Sequence, residues 1–563
     1  MPRRLAISVL LLILAGAACR PATPPAAPQS APPPAPAPEA TDGERPADGG
    51  TVRYAIREPS AIVPVEAVGS AALTVVDTLF DSLTSWGTPP GSAAGSGADL
   101  QARPSAARSW ASDDDATTWT FRLRPGVTFH DGETPVTAAD FVFAWTLAVE
   151  LDLVGYHLRD VEGYEALRQG QSDRLAGVTA LDEHTLEIRL ARPNADFPMI
   201  AGHPALGPLP RTVWEADPDG FRAHPVGNGP FAASEPWAQG AFVRVAPFDG
   251  WRNRVTAPSV TEVVFQSMDP DTAYLAFQQG RLDFTELPPG ALDDAIAEFG
   301  ESPDGYTGPG VLRGDRPVLY YLGFDLTQPP FDDVEVRRAI RQAIDRAAIV
   351  EAVPDGNVRV ARGMVPPVLP GARARPCPSC RHDPAAARET FAERDITRLV
   401  LWFNRSGGHE RIARRLRRDL QAVGVRLELR TEEFPAYLTA LEAGDAGFFR
   451  FGWAVDYPSM GNALFPILHS SARGPGESAH NYGGYAATDV DELLDAARAT
   501  LDTDERHAQF AEAADVALNR DQVAVPLFTY RHAAVVSERL EGFVYNAMGY
   551  ADLVPVRIAE TGD

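Results

Sequence analysis

From Gly50 onward, short β-rich runs alternate with amphipathic helices, with no tandem repeat and no second low-complexity segment. That mixture excludes a repeat architecture and points to an α/β fold. About 510 residues of this kind are enough for two or three lobes with their own cores. Thr51 to Ile56 reads as an opening strand, and Ala71 to Leu83 as a helix with Leu73, Val76, Leu79, Phe80 and Leu83 at helical spacing. A Gly/Pro/Ser-rich loop covers Pro89 to Gly97, and Thr117 to Leu123 then alternates like a half-buried strand. Pro125-Gly126 makes a turn, Val127 to Phe129 a second strand, and Asp131-Gly132 another turn. Thr137 caps a helix from Ala138 to about Val149, on which Phe141, Val142 and Trp145 form the apolar stripe.

The first 49 residues obey different rules. Arg3 and Arg4 precede an apolar run, Leu5 to Ala18, that ends in small residues before Cys19. The run is too short for a permanent span, which asks for about 20 residues. It reads as a secretory signal (residues 1–18) with a lipoprotein-type cleavage point and lipidation of Cys19. Ala17 and Ala18 fit that motif, whereas Gly16 stands where Leu, Val or Ile is usual. The alternative is an ordinary secretion signal cleaved near Ala18. Residues 19–49 are rich in Ala and Pro without apolar periodicity, as expected of an extended tether.

The formal charge is −25, two more negative without Arg3 and Arg4, and all basic side chains are arginine. Nucleic acid is excluded as a partner, since neutralising phosphates needs a basic face. Of the three cysteines, Cys377 and Cys380 share the string PCPSC, where a local disulfide is favoured over metal or redox chemistry in an oxidising compartment. No second Cys-x-x-C supplies a zinc set, and no metal or cofactor is expected.

Nothing supplies a positive case for catalysis. Nucleophile-elbow, His-Glu-x-x-His, dinucleotide and phosphate-loop motifs are absent. His130-Asp131-Gly132 is most simply a strand end and turn, and no catalytic residue is assigned. A binding locus is better defined. In Arg450-Phe451-Gly452-Trp453-Ala454-Val455-Asp456-Tyr457, apolar and aromatic residues flank one arginine and one aspartate. Gly452 permits close backbone approach, and Trp453 offers a flat face. A carboxylate in a closed cleft is costly until a cation arrives, so Asp456 favours a ligand ammonium. Competing structural roles are loop capping for Asp456, pairing with Asp456 or Asp445 for Arg450, and core packing for Phe451 and Tyr457. The arginines of Arg411 to Arg418 read as the solvated face of a helix whose Ile412, Leu416 and Leu420 point inward. Arg337 and Arg338 with Asp345 and Arg346 read as helix-surface pairs.

Six blocks, in order, resemble the family-5 solute-binding proteins of ABC transporters, the oligopeptide- and dipeptide-binding receptors. They are WTFRLRPGVTFHDGETPVTAADFVFAW (Trp119 to Trp145), LDEHTLEIRLARPNADFP (Leu181 to Pro198), PVGNGPF (Pro225 to Phe231), QQGRLDF (Gln278 to Phe284), PPFDDVEVRRAIRQAIDRAAIV (Pro329 to Val350) and FGWAVDYP (Phe451 to Pro458). The resemblance implies a periplasmic-binding-protein-like type II fold: two hinged α/β lobes with an additional inserted lobe. Lobe I is expected at 50–85, 213–316 and 526–563, the inserted lobe at 86–212, and lobe III at 317–525. It further implies that Asp456 holds the α-ammonium of a bound peptide and that Arg450 meets a peptide carboxylate. Asn481 and Tyr485 would line the same cleft.

The expected function is that of a monomeric, lipid-anchored extracytoplasmic receptor, not an enzyme. It would capture di- or oligopeptides by hinge closure and deliver them to a membrane-embedded ABC permease. Its alternatives are the same fold binding a nickel complex, haem, an opine or an oligosaccharide, or a secreted hydrolase.

Overall fold

The computed structural model describes residues 50–87, 100–251, 258–353, 356–372, 377–405, 407–474 and 480–559. The expected signal, Cys19, the tether and the Pro89 to Gly97 loop lie outside these. Lobe I is built on a seven-stranded sheet, in the order 310–312, 534–536, 284–286, 51–56, 262–267, 242–247, 231–233. The opening strand Thr51–Ile56 is central and pairs in parallel with Glu262–Ser267. Its alternate residues Val52, Tyr54 and Ile56 enter the core.

Lobe III has a six-stranded sheet in the order 358–360, 524–531, 315–324, 448–454, 398–404, 426–432, with apolar clusters on both faces. The inserted lobe carries the four-stranded sheet 107–112, 118–123, 185–189, 178–182 and a hairpin of Thr84–Gly87 with Gln101–Pro104. Against that sheet lies the helix Ala138–Leu151, started by a capping box between Thr137 and Asp140. Its Phe141 and Trp145 are fully buried.

The chain crosses between lobes I and III at residues 313–314 and 532–533, and His532 N–H donates to the Gly314 carbonyl at 2.8 Å. The second crossing falls six residues beyond Pro526, where the return to lobe I was expected. The apolar run Val525 to Tyr530 stays in lobe III as an interior strand, and Pro526 is accommodated beside a break in its register with Tyr320 and Tyr321.

Three local expectations are corrected. The first helix covers Ser70–Leu79, because Asn228 and Gly229 of the GNG turn take Asp81 N–H at 2.9 Å and the Leu79 carbonyl at 2.9 Å, drawing Phe80 into extended backbone. A side chain at Gly227 would collide with the Leu79 carbonyl, so this crossing requires glycine. Val127 to Phe129 contributes only an isolated bridge between Thr128 and Pro135. Finally, Arg337 and Arg346 are not surface residues. Arg337 donates to the carbonyls of Phe331, Asp521 and Gln522, and Arg346 to those of Ala361, Pro526 and Cys380. Arg338 does pair with Glu335 at the surface, while Asp345 caps the helix Arg346–Ala352. Cys377 and Cys380 are disulfide-bonded.

Candidate functional site

The loop after the lobe III strand Phe448–Ala454 brings Asp456 to a place where all three lobes meet. Its shape is fixed by Asn462, which is buried in the helix Met460–Leu468. The Asn462 side chain accepts from Asp456 N–H at 2.8 Å and donates to the Asp456 carboxylate at 3.1 Å. Its carbonyl takes the Trp453 indole N–H at 2.8 Å. Among the described residues no cation forms an ion pair with Asp456, so a half-buried carboxylate keeps acceptor capacity.

Around it stand groups that sequence reasoning missed. His203 from the inserted lobe and Tyr550 from lobe I both lie within electrostatic reach of Asp456. The Trp86 ring packs 5.7 Å from His203 and 5.9 Å from Tyr550, and His203 stacks on His157 at 4.0 Å. The Nδ1 of His203 accepts from Ala205 N–H, which leaves the ring proton on Nε2. Burial, with His157 alongside, holds His203 well below its ordinary pKa, and burial brings His157 to about 3. Both are neutral at physiological pH. Tyr550 also feels Asp77, the one charged residue of the helix Ser70–Leu79. Solvent reaches Asp77, yet the protein packed around it, then Asp552 and Asp81, raise its carboxyl to about 7. The sequence carried no signal for Asp77, because an exposed acid on an amphipathic helix reads as part of its solvated face. The aromatic residues of the inserted lobe carried none.

The expected site residues divide into four groups. Trp453 near the end of the strand and Asp456 in the loop after it are both tied to Asn462, and Trp453 and Met548 of lobe I pack against the same cluster of Leu369, Val455 and Ala463. Arg450 lies on the opposite face of the same strand: its guanidinium sits 4.6 Å over the Tyr320 ring and donates to Asn404 at 2.9 Å. It has no carboxylate partner among the described residues, so neither Asp456 nor Asp445 pairs with it. A Cβ on Gly452 would lie 3.2 Å from the Leu319 carbonyl, a tight approach to the neighbouring strand, and at ordinary contact distance, 3.4 Å, from that guanidinium. Tyr457 points into the seam with the inserted lobe. Burial pushes its hydroxyl up to about 12, against the opposing pull of Arg159 and Arg498. Asn481 is spent on its own loop, bonding Tyr485 N–H and the carbonyls of Tyr485 and His469, and the Tyr485 hydroxyl donates to Asp521.

His130 is fully occupied by the GNG turn. Its Nδ1 accepts from Gly227 N–H at 3.1 Å and its Nε2 donates to the Gly229 carbonyl at 3.1 Å. Burial lowers its pKa to about 4. Among the described residues no group of three or more His, Cys, Asp or Glu is arranged to hold a metal.

The family described as bacterial extracellular solute-binding proteins, family 5 Middle, matches residues 101–475. The chain belongs to that family. This solute-binding protein is 25% identical over 521 residues to the dipeptide-binding protein DppE of Bacillus subtilis, covering 88% of this chain and 89% of DppE. The periplasmic murein peptide-binding protein MppA of Escherichia coli is 26% identical, with 88% and 90% covered. Among solved structures, an oligopeptide binding protein 2 of clavulanic acid biosynthesis superposes with a TM-score of 0.79 at 23% identity, covering 91% of this chain and 96% of that one. The fold is therefore that of the two-lobed α/β receptors, and the family works outside the cytoplasm.

Proposed function

We propose that this solute-binding protein captures di- or oligopeptides through their α-ammonium group, closes its lobes around them and delivers them to an ABC permease. The observation that carries it is Asp456: a carboxylate without a cationic partner among the described residues, held by Asn462 where three lobes converge. A ligand ammonium supplies the missing charge, and closure follows from the ligand's preference for the closed state. Peptide-binding relatives such as DppE and MppA support this choice of ligand. Arg450, half-buried with only neutral partners, is the group we assign to a ligand carboxylate. Neutral His203 and Tyr550 form the wall facing the ammonium. We further propose that the protein is a monomeric lipoprotein anchored at Cys19, without a catalytic step.

Calorimetry with a peptide series, each peptide offered with a free and with an acetylated amino terminus, tests this. Binding of the free amine only, lost in Asp456→Ala, is the expected result. Equal binding of both forms overturns the assignment of Asp456. Mass spectrometry of co-purified ligand separates peptides from a metal complex, haem, an opine or a sugar, and intact recovery of that ligand excludes a hydrolase.

A further inference from the structure

The helix Met460–Leu468 links the ligand loop to the inserted lobe at two points. At its start, the N-cap Ser459 donates its hydroxyl to Asp196 of the inserted lobe, and the Arg506 Nε lies 3.0 Å from the same carboxylate. Further along, the Phe465 ring supports the Arg498 guanidinium at 4.7 Å. Arg498 in turn donates to Asp160 at 2.5 Å and to the Pro193 carbonyl at 3.1 Å, while its own carbonyl accepts from Ala195 N–H at 2.7 Å. All four charged side chains are nearly buried, between 8% and 13% exposed. Burial by itself would raise the Asp160 carboxyl, but Arg498, then Arg159, bring it below the ordinary range, so it is ionised at neutral pH.

The seam these pairs span is only partly packed: Tyr457 reaches the apolar core of the inserted lobe. Beside the Asp196–Arg506 pair lies a half-open chamber of about 450 Å³ lined by Trp110, Trp119, Met199, Ser459 and Arg506. Buried ion pairs gain little net stability over hydrated, separated ions, because desolvation offsets the attraction. They do fix geometry, and they release when the surfaces part and water returns. The inserted lobe and lobe III therefore meet through contacts that are directional and reversible.

We propose that Asp160 and Asp196 are positioning residues of the binding site. They seat the helix Met460–Leu468 when the jaws meet, and through Asn462 they set the place of the Asp456 carboxylate. This rests on the peptide-receptor reading for its ligand, though not for its geometry. The test uses the full chain with Asp160→Asn and Asp196→Asn, singly and together, and Arg498→Lys as a variant that keeps the charge but loses the fork.

Small-angle scattering without ligand should show the double variant more open than the parent. Calorimetry should show peptide affinity reduced about tenfold or more, with the preference for a free over an acetylated amino terminus reduced as well. Arg498→Lys should fall between parent and double variant. Unchanged scattering together with unchanged amine preference overturns the proposal, as does a loss of affinity with the amine preference intact. If the parent binds no peptide, the ligand assignment fails while the scattering comparison still decides the seam.

Discussion

The inserted lobe touches its two neighbours in opposite ways. Against lobe I it shares one continuous apolar core, in which Val76 and Phe231 of lobe I join Phe121, Trp145 and Phe197 of the inserted lobe. Against lobe III it makes two buried ion pairs, one of them beside a half-open chamber, and is met by Tyr457 at the edge of that core. Parting the first boundary would expose a large apolar area, at about 25 cal/mol per Å², while parting the second hydrates charges. The apolar boundary is therefore the costlier one to part, and the seam with lobe III is the one where a lobe movement would expose less apolar surface. The two neighbouring crossings at residues 313–314 and 532–533 are the only covalent links between lobes I and III across the described residues, as a hinge requires.

The largest expected effect tests the fused side. Trp145→Ala removes a fully buried ring whose N–H reaches the Leu206 carbonyl at 2.9 Å. It should cost about 3–5 kcal/mol in denaturant unfolding. Asp196→Asn should cost far less, and equal losses would break the distinction between the two boundaries. On the lobe III side, Asp456→Ala should weaken peptide binding by about 2–4 kcal/mol, measured by calorimetry, with the melting temperature nearly unchanged. Arg450→Ala should have a smaller effect, about 1–2 kcal/mol, and only on peptides whose carboxylate reaches it; a uniform loss across peptide lengths would mark Arg450 as a support for the strand.

The smallest effect is in pH. His130, with a pKa lowered to about 4, binds its proton more weakly folded than unfolded. The stability it allows is present at neutral pH and lost as pH falls from about 6.5 toward 4. His157, lowered to about 3, and His203 act in the same direction. Asp77, raised to about 7, opposes them: its folded carboxyl holds a proton that the unfolded chain has released, so its contribution falls as pH rises from about 4 to 7. Thermal unfolding of Asp77→Asn from pH 4 to 7 should show a steeper rise of stability with pH than the parent. A flatter profile would contradict the placement of Asp77 among carboxylates.

Much of the architecture was legible because local patterns carry it. The strand Thr51–Ile56, the helix capped by Thr137 and the inward stripe of the helix His409–Ala422 follow from alternation, capping and helical period. The first helix ended early because an asparagine 147 positions away captured the Asp81 amide. The arginines Arg337 and Arg346 occupied surface-like positions in the helical pattern, yet lobe III folds carbonyls over both. A side chain's own segment does not reveal such distant acceptors.

The same division holds at the binding site. The residues Arg450 to Tyr457 stand out as a candidate ligand segment by composition: one carboxylate, one guanidinium, a glycine and aromatic faces in a short string. Helical and strand periods, caps and charge types are properties of neighbours in the chain, so the α/β class and the acidic character can be read from the sequence, and Arg450 to Tyr457 can be singled out as a candidate. The fold adds that Arg450 and Asp456 occupy different surroundings, that Asn481 is consumed by its own turn, and that His203 and Tyr550 lie within electrostatic reach of Asp456. These outcomes depend on which distant surfaces meet and on the desolvation that follows, and both come into being only when the lobes pack.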